Sequence, residues 1–118
     1  MIRATFEYGD VLMAEITGHA GRINGEPIVC AKVSVLAQML TEALYEYLGH
    51  DSESGRRENP ELEEENVSGK CIISVDTRGI SVQKKRELLL IFETARKGFE
   101  LVQEQFPKEI VFAVLYNF

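Results

Sequence analysis

The first two segments of the chain show the apolar pattern of β-strands. In residues 2–8 every second residue is apolar, which is the period of a strand with one buried face: Ile2, Ala4, Phe6 and Tyr8. Gly9 and Asp10 supply turn chemistry before a second strand-like run at residues 11–17. The pattern predicts a β-hairpin at the start of the chain.

Two later segments have helical periodicity. From residue 28 apolar residues recur every three or four positions, at Val29, Val33, Leu36, Leu40, Leu44 and Leu48. Pro27 is suited to the start of this helix, and Gly49 to its end. A second amphipathic pattern covers residues 82–106 and stops before Pro107.

Short apolar runs at residues 70–76 and 108–116 predict two more strands, the last one buried on both faces because it is almost continuously apolar. The order ββαβαβ favours an α/β two-layer sandwich, in which a mixed four-stranded sheet carries both helices on one face. The other sheet face would be exposed to solvent or buried against a partner. We expect a homodimer.

We predict a single domain spanning residues 1–118. Within it, two segments are predicted to be mobile loops, one near residues 18–27 and the other near residues 50–68. The first is rich in glycine. The stretch 51–66 holds seven acidic and two basic residues and has too little apolar surface to offset the entropy of ordering it. It is either a solvated linker or a site of attraction for a basic substrate.

The composition excludes some classes of function. The net charge is −6, from 19 acidic and 13 basic residues, and no basic cluster is present, so we expect no direct nucleic-acid partner. No run approaches the roughly 18 consecutive apolar residues of a membrane span, and the first residues do not resemble a signal peptide. We expect a cytoplasmic protein without a membrane partner and with reduced thiols.

A thiol and an imidazole flank the glycine-rich loop. Taken alone, Cys30 is most simply a buried apolar residue and His19 an ordinary loop histidine. In the first helical turn, however, unpaired N–H groups and the helix dipole favour a thiolate at Cys30. The ten-residue loop can bring His19 to it, as nucleophile and general base require.

The sequence GHA, a glycine-containing loop and the helix start IVCAKVSVLAQ together resemble the ribosomal-processing cysteine protease (Prp) family. The similarity extends over most of the chain. It implies a catalytic Cys30 and His19, with Ser34 supporting the site, and needs no metal or cofactor. It also implies removal of an amino-terminal extension from a large-subunit ribosomal protein precursor, by cleavage after an aromatic residue and through a thioester acyl-enzyme.

Supporting residues are harder to assign. The family commonly has an acid three positions before the cysteine, where this chain has Pro27, so Glu26 is a conditional substitute for orienting His19. Backbone N–H groups around Cys30 and Ala31 are candidates for an oxyanion hole. Three glycines either shape a substrate cleft or simply permit turns: Gly18, Gly21 and Gly25.

Two other functions compete with the protease. One is a noncatalytic, ribosome-associated interaction domain, in which Cys30 belongs to the core and His19 has no special role. The other is a metal site built from His19, Cys30, His50 and Cys71, which is disfavoured because no short paired spacing brings these ligands together.

Overall fold

The protein is described by a computed structural model, which covers residues 1–49, 62–67 and 69–117. Its elements in chain order are β1 (Ile2–Gly9), β2 (Val11–Gly18), α1 (Ile28–Leu48), β3 (Leu62–Val67), β4 (Lys70–Asp76), α2 (Val82–Gln105) and β5 (Ile110–Asn117). The predicted hairpin, both helices and the two later strands are confirmed.

The strands form one mixed sheet with the order β3-β4-β2-β1-β5. Neighbouring strands are antiparallel except β1 and β5, which are parallel. The parallel pair follows from connectivity, because α2 carries the chain across the sheet from β4 to its far edge beside β1.

The predicted count of four strands is wrong, since the described residues form five. The segment 62–67, predicted as part of a mobile loop, pairs with β4 in a register from Leu62 opposite Val75 to Val67 opposite Lys70. Its acidic residues are exposed, and charges suit an edge strand because they discourage pairing with another chain. Residues 50–61, with His50 and most of the acidic segment, lie outside the described residues.

The last strand is not buried on both faces as predicted. β5 forms the other edge of the sheet, and its residues are alternately more and less exposed. Phe112 and Val114 pack against the core, whereas Val111 and Leu115 are 42% and 51% exposed. An apolar run therefore marked a strand correctly without indicating its place in the sheet.

The core lies between the sheet and the two helices, which cover one sheet face as predicted. The rings of Phe6 on β1 and Phe99 on α2 meet edge to face with centroids 5.5 Å apart. Gly98 allows α1 and α2 to approach closely, because a Cβ there would lie 2.5 Å from Leu36 Cδ2.

By length and composition, α1 is the one helix in the described part of the chain that could cross a membrane. Core helices of soluble proteins meet the same criterion. Because Val29, Leu40 and Leu44 of α1 are fully buried in the core, we interpret α1 as a core helix.

Candidate active site

A cleft of about 550 Å³ lies between α1 and the β3–β4 end of the sheet, and we call it the α1 cleft. His19, Cys30 and Ser34 all line it, together with Gly18. The strand side contributes Asn66, Val67, Gly69 and Lys70, among others. The fold thus brings the predicted nucleophile and base, which are separated by a loop in sequence, to one open cleft.

Cys30 is the third residue of α1 and is only partly exposed. The backbone N–H of Ala20 donates a hydrogen bond to Cys30 Sγ over 3.3 Å. The Cys30 thiol in turn donates to Ala20 O over 3.8 Å, so both backbone groups of Ala20 hold the sulfur in place. Sequence reasoning gave Ala20 no role, although it directly follows His19.

The start of α1 has free backbone donors. Pro27 precedes the helix, and no side chain caps its N–H groups. The Ala31 N–H already donates to Pro27 O at 2.9 Å, so this amide is used at the start of α1. Among the described residues, the Val29 and Cys30 N–H groups have no acceptor, as expected in a first helical turn.

His19 is held by residues from two other parts of the chain. Its carbonyl oxygen accepts a hydrogen bond from the Met1 nitrogen at 2.6 Å. The preceding Gly18 N–H donates to Gly69 O at 2.9 Å, and the imidazole itself lies against Gly69. The backbone at His19 is therefore tied to the residue before β4 and to the residue before β1.

The glycine-rich loop contains more structure than predicted. The Ile23 and Glu26 backbones exchange two hydrogen bonds of 2.9 and 3.0 Å. Between them Asn24 and Gly25 have φ values of 52° and 81°, the backbone of a two-residue hairpin turn. The dipeptide Asn-Gly is a strong hairpin signal, so this turn was accessible to sequence reasoning.

Glu109, just before β5, anchors the same loop from the other end of the chain. Its Oε2 accepts a hydrogen bond from the Gly21 N–H at 2.9 Å. Sequence reasoning missed this residue because nothing local marks a carboxylate 88 positions away as a loop partner. Glu109 thereby fixes the loop between His19 and Cys30.

The three loop glycines have different roles. Gly18 has φ +90° and contacts Met1 O so closely that a Cβ would lie 2.2 Å from it, and Gly25 has φ +81°. Both positions need glycine for the backbone. At Gly21 a Cβ would meet nothing closer than 3.6 Å, so its contribution is the N–H donated to Glu109.

Of the two side chains predicted to support the site, Ser34 and Glu26, only Ser34 lines the α1 cleft. Ser34 lines the α1 cleft one turn beyond Cys30. Glu26 is exposed, and its carboxylate makes no hydrogen bond or ion pair with the residues that the structure describes. The structure therefore does not bring the conditional substitute Glu26 into contact with His19.

The second thiol, Cys71, also lines the α1 cleft but has a different environment. Burial in β4 raises the pKa of its thiol, and the charge of Glu64 raises it further. Within residues 1–49, 62–67 and 69–117 no group of three or more His, Cys, Asp or Glu side chains is arranged to hold a metal ion. His50 lies outside those ranges.

Comparisons with known proteins identify a family and several similar structures. The family model of cysteine protease Prp matches residues 1–111. Among solved structures, SMU.848 from Streptococcus mutans is 28% identical with a TM-score of 0.66, the alignment covering 99% of this chain and 96% of that one.

Two structures from Staphylococcus aureus share the fold. One is an essential ribosomal processing protease Prp with a covalently linked product peptide, at 23% identity and a TM-score of 0.56. The other is the same protease with a substrate peptide, at 18% identity and a TM-score of 0.62. In both cases 99% of this chain and 100% of the other are covered. A search of curated proteins found no match.

Proposed function

Because this chain belongs to the cysteine protease Prp family, we propose that it removes the amino-terminal extension of a bacterial large-subunit ribosomal protein, with Cys30 as nucleophile and His19 as general base. The observation that carries the proposal is the hydrogen bond from Ala20 N–H to Cys30 Sγ, in a cleft that His19 also lines. The Staphylococcus protease that shares this fold is a ribosomal processing enzyme, which supports the choice of substrate.

In the proposed mechanism His19 takes the proton of the Cys30 thiol. The sulfur attacks the carbonyl carbon of the scissile peptide bond, and the carbonyl oxygen becomes an oxyanion. As the C–N bond breaks, the imidazolium gives its proton to the leaving amine, and a thioester remains on Cys30. Water, deprotonated by His19, then attacks the thioester and releases the acid product and the thiol.

Backbone donors provide the electrostatic support for these steps. The Ala20 N–H stabilises the attacking thiolate, since it already donates to Sγ. The uncapped start of α1 leaves the Cys30 N–H available for the oxyanion. Ser34 lies one helical turn further along the cleft, where its hydroxyl would contact substrate.

The α1 cleft suits an extended peptide with apolar side chains. Its lining combines aliphatic and polar side chains. The aliphatic groups include Ile16, Val33 and Val67, of which Val67 is 55% exposed. This apolar lining supports cleavage within a short hydrophobic motif. Cleavage after an aromatic residue stays a prediction.

A homodimer in the cytoplasm is the proposed form of the enzyme. Supporting the dimer are exposed apolar residues on the edge strand β5, Val111 and Leu115. Sedimentation equilibrium would show a mass near twice 13.3 kDa for a dimer, and a mass of one chain would contradict it. Attraction between the acidic segment and a basic substrate stays a prediction.

The direct test is incubation with the ribosomal protein precursor, followed by mass spectrometry of the products. We expect a single cut that releases the extension, and no product with Cys30→Ala. Binding of the precursor without cleavage would favour the noncatalytic interaction domain instead.

A further inference from the structure

A glycine outside the predicted site is in direct contact with the His19 imidazole. Gly69 lies between β3 and β4, at the edge of the α1 cleft. A Cβ built on Gly69 would lie 2.7 Å from His19 Nε2 and 3.5 Å from both Cδ2 and Cε1. Contacts below 3.0 Å are essentially never seen for real Cβ atoms, so the ring occupies space that only glycine leaves open.

We propose that Gly69 is a positioning residue for His19, and that its missing side chain sets where the imidazole lies in the cleft. The proposal rests on the role of His19 as general base given above. A base must reach the proton that it removes within hydrogen-bond distance, so a displaced ring loses function even when it remains chemically intact.

The backbone prevents Gly69 from yielding to a larger side chain. Its carbonyl oxygen accepts the Gly18 N–H at 2.9 Å, next to His19 in the chain. Its φ of +77° is in the left-handed region, which disfavours any residue with a Cβ. Shifting the Gly69 backbone would break the bond to Gly18, so a new Cβ would displace the imidazole.

Gly79 offers a matched control. It has a φ of +83°, close to that of Gly69, but a Cβ there would meet nothing within 4 Å. Alanine at either position has the same kind of backbone strain, and only Gly69→Ala also collides with His19. The difference between the two variants isolates the contact from the strain.

The experiment compares precursor cleavage and thermal unfolding for wild type, Gly69→Ala and Gly79→Ala. We expect similar losses of Tm in both variants, because both strain a left-handed backbone. Cleavage should fall by about 10 to 100-fold in Gly69→Ala, mainly in kcat, as expected for a misplaced catalytic group. Equal activity of the two variants at equal fold content would overturn the proposal.

A second measurement separates this proposal from the catalytic assignment. NMR of the imidazole nitrogens, with the His19 signals identified by their loss in His19→Asn, reports ring environment without turnover. We expect the His19 signals to shift in Gly69→Ala and to stay unchanged in Gly79→Ala. Unshifted signals in Gly69→Ala would overturn the proposal, whereas full activity of His19→Asn would instead refute the proposed function.

Discussion

Two thiols line the same cleft, but their surroundings differ. Cys30 lies in the first turn of α1, where the Ala20 N–H donates to its sulfur. Cys71 lies in a strand, where burial and the nearby charge of Glu64 raise the pKa of its thiol. Burial beside a carboxylate stabilises the neutral thiol of Cys71, whereas Cys30 meets a backbone donor at the start of a helix.

The two thiols differ in their surroundings and not in their access to the cleft. Both side chains are partly exposed, and both are unpaired cysteines. The difference comes from backbone: one thiol meets an uncapped helix start and a loop amide, and the other meets a strand whose amides are used in the sheet. The following predictions test that difference.

The largest expected effect is the difference in precursor cleavage between the two single cysteine-to-serine variants. We expect Cys30→Ser to lower kcat/KM for precursor cleavage by ~10³-fold or more, as loss of a covalent nucleophile does in related mechanisms. Cys71→Ser should stay within about twofold of wild type. Comparable losses in the two variants would mean that the contrast between the thiols has no role in catalysis.

Removing the imidazole should be the next largest effect. His19→Asn keeps polarity but loses the base, and kcat should fall by about 10² to 10⁴-fold, the usual contribution of general acid–base catalysis. The pH profile of the residual activity should also lose the limb due to the imidazole. A variant with the wild-type profile would assign the base to another group.

Loosening the loop that carries Ala20 should have a smaller effect. Glu109→Ala removes the acceptor of the Gly21 N–H, so the loop between base and nucleophile loses its anchor. We expect roughly a tenfold loss in kcat/KM, less than that of a badly misplaced catalytic group.

Glu109→Gln provides the control for this prediction, because its side-chain oxygen still accepts from Gly21. Cleavage by Glu109→Gln should be close to that of wild type. A glutamine variant as impaired as the alanine variant would show that charge matters at position 109, and that the anchoring hydrogen bond does not.

The smallest expected effect is on stability at alkaline pH. Because the pKa of Cys71 is raised in the folded protein, folding favours its neutral thiol. That contribution is fully present below the ordinary thiol pKa of about 8.5 and is lost as pH rises through the folded-state value. Urea unfolding should therefore show a steeper alkaline loss of stability for wild type than for Cys71→Ala, and parallel curves would contradict the raised pKa.

Periodicity was sufficient to predict most of the fold. The helices were found from apolar spacing such as Val29, Val33 and Leu40, since a buried stripe must repeat every three to four residues. The strand β3 was missed because its exposed edge carries acids, which resemble a solvated loop when pairing with β4 is unknown. An apolar composition indicates buried residues, whereas an edge strand can be largely exposed and polar.

The site residues could be predicted from the sequence only where they lie close together along the chain. His19 and Cys30 flank one loop, so their spacing and the family resemblance pointed to them. Glu109 and Gly69 contact the loop and the imidazole through long-range pairing, which no local pattern encodes. The donor at Ala20 is a backbone amide and has no sequence signature.

Alkylation of the native protein compares the two thiols directly, because the proposed nucleophile is Cys30 and not Cys71. Iodoacetamide at neutral pH, with each labelled peptide quantified by mass spectrometry, measures both rates in one molecule. We predict that Cys30 is labelled much faster than Cys71 and that urea brings the two rates together. Equal rates in the folded protein, or faster labelling of Cys71, would rule out Cys30 as the more reactive thiol.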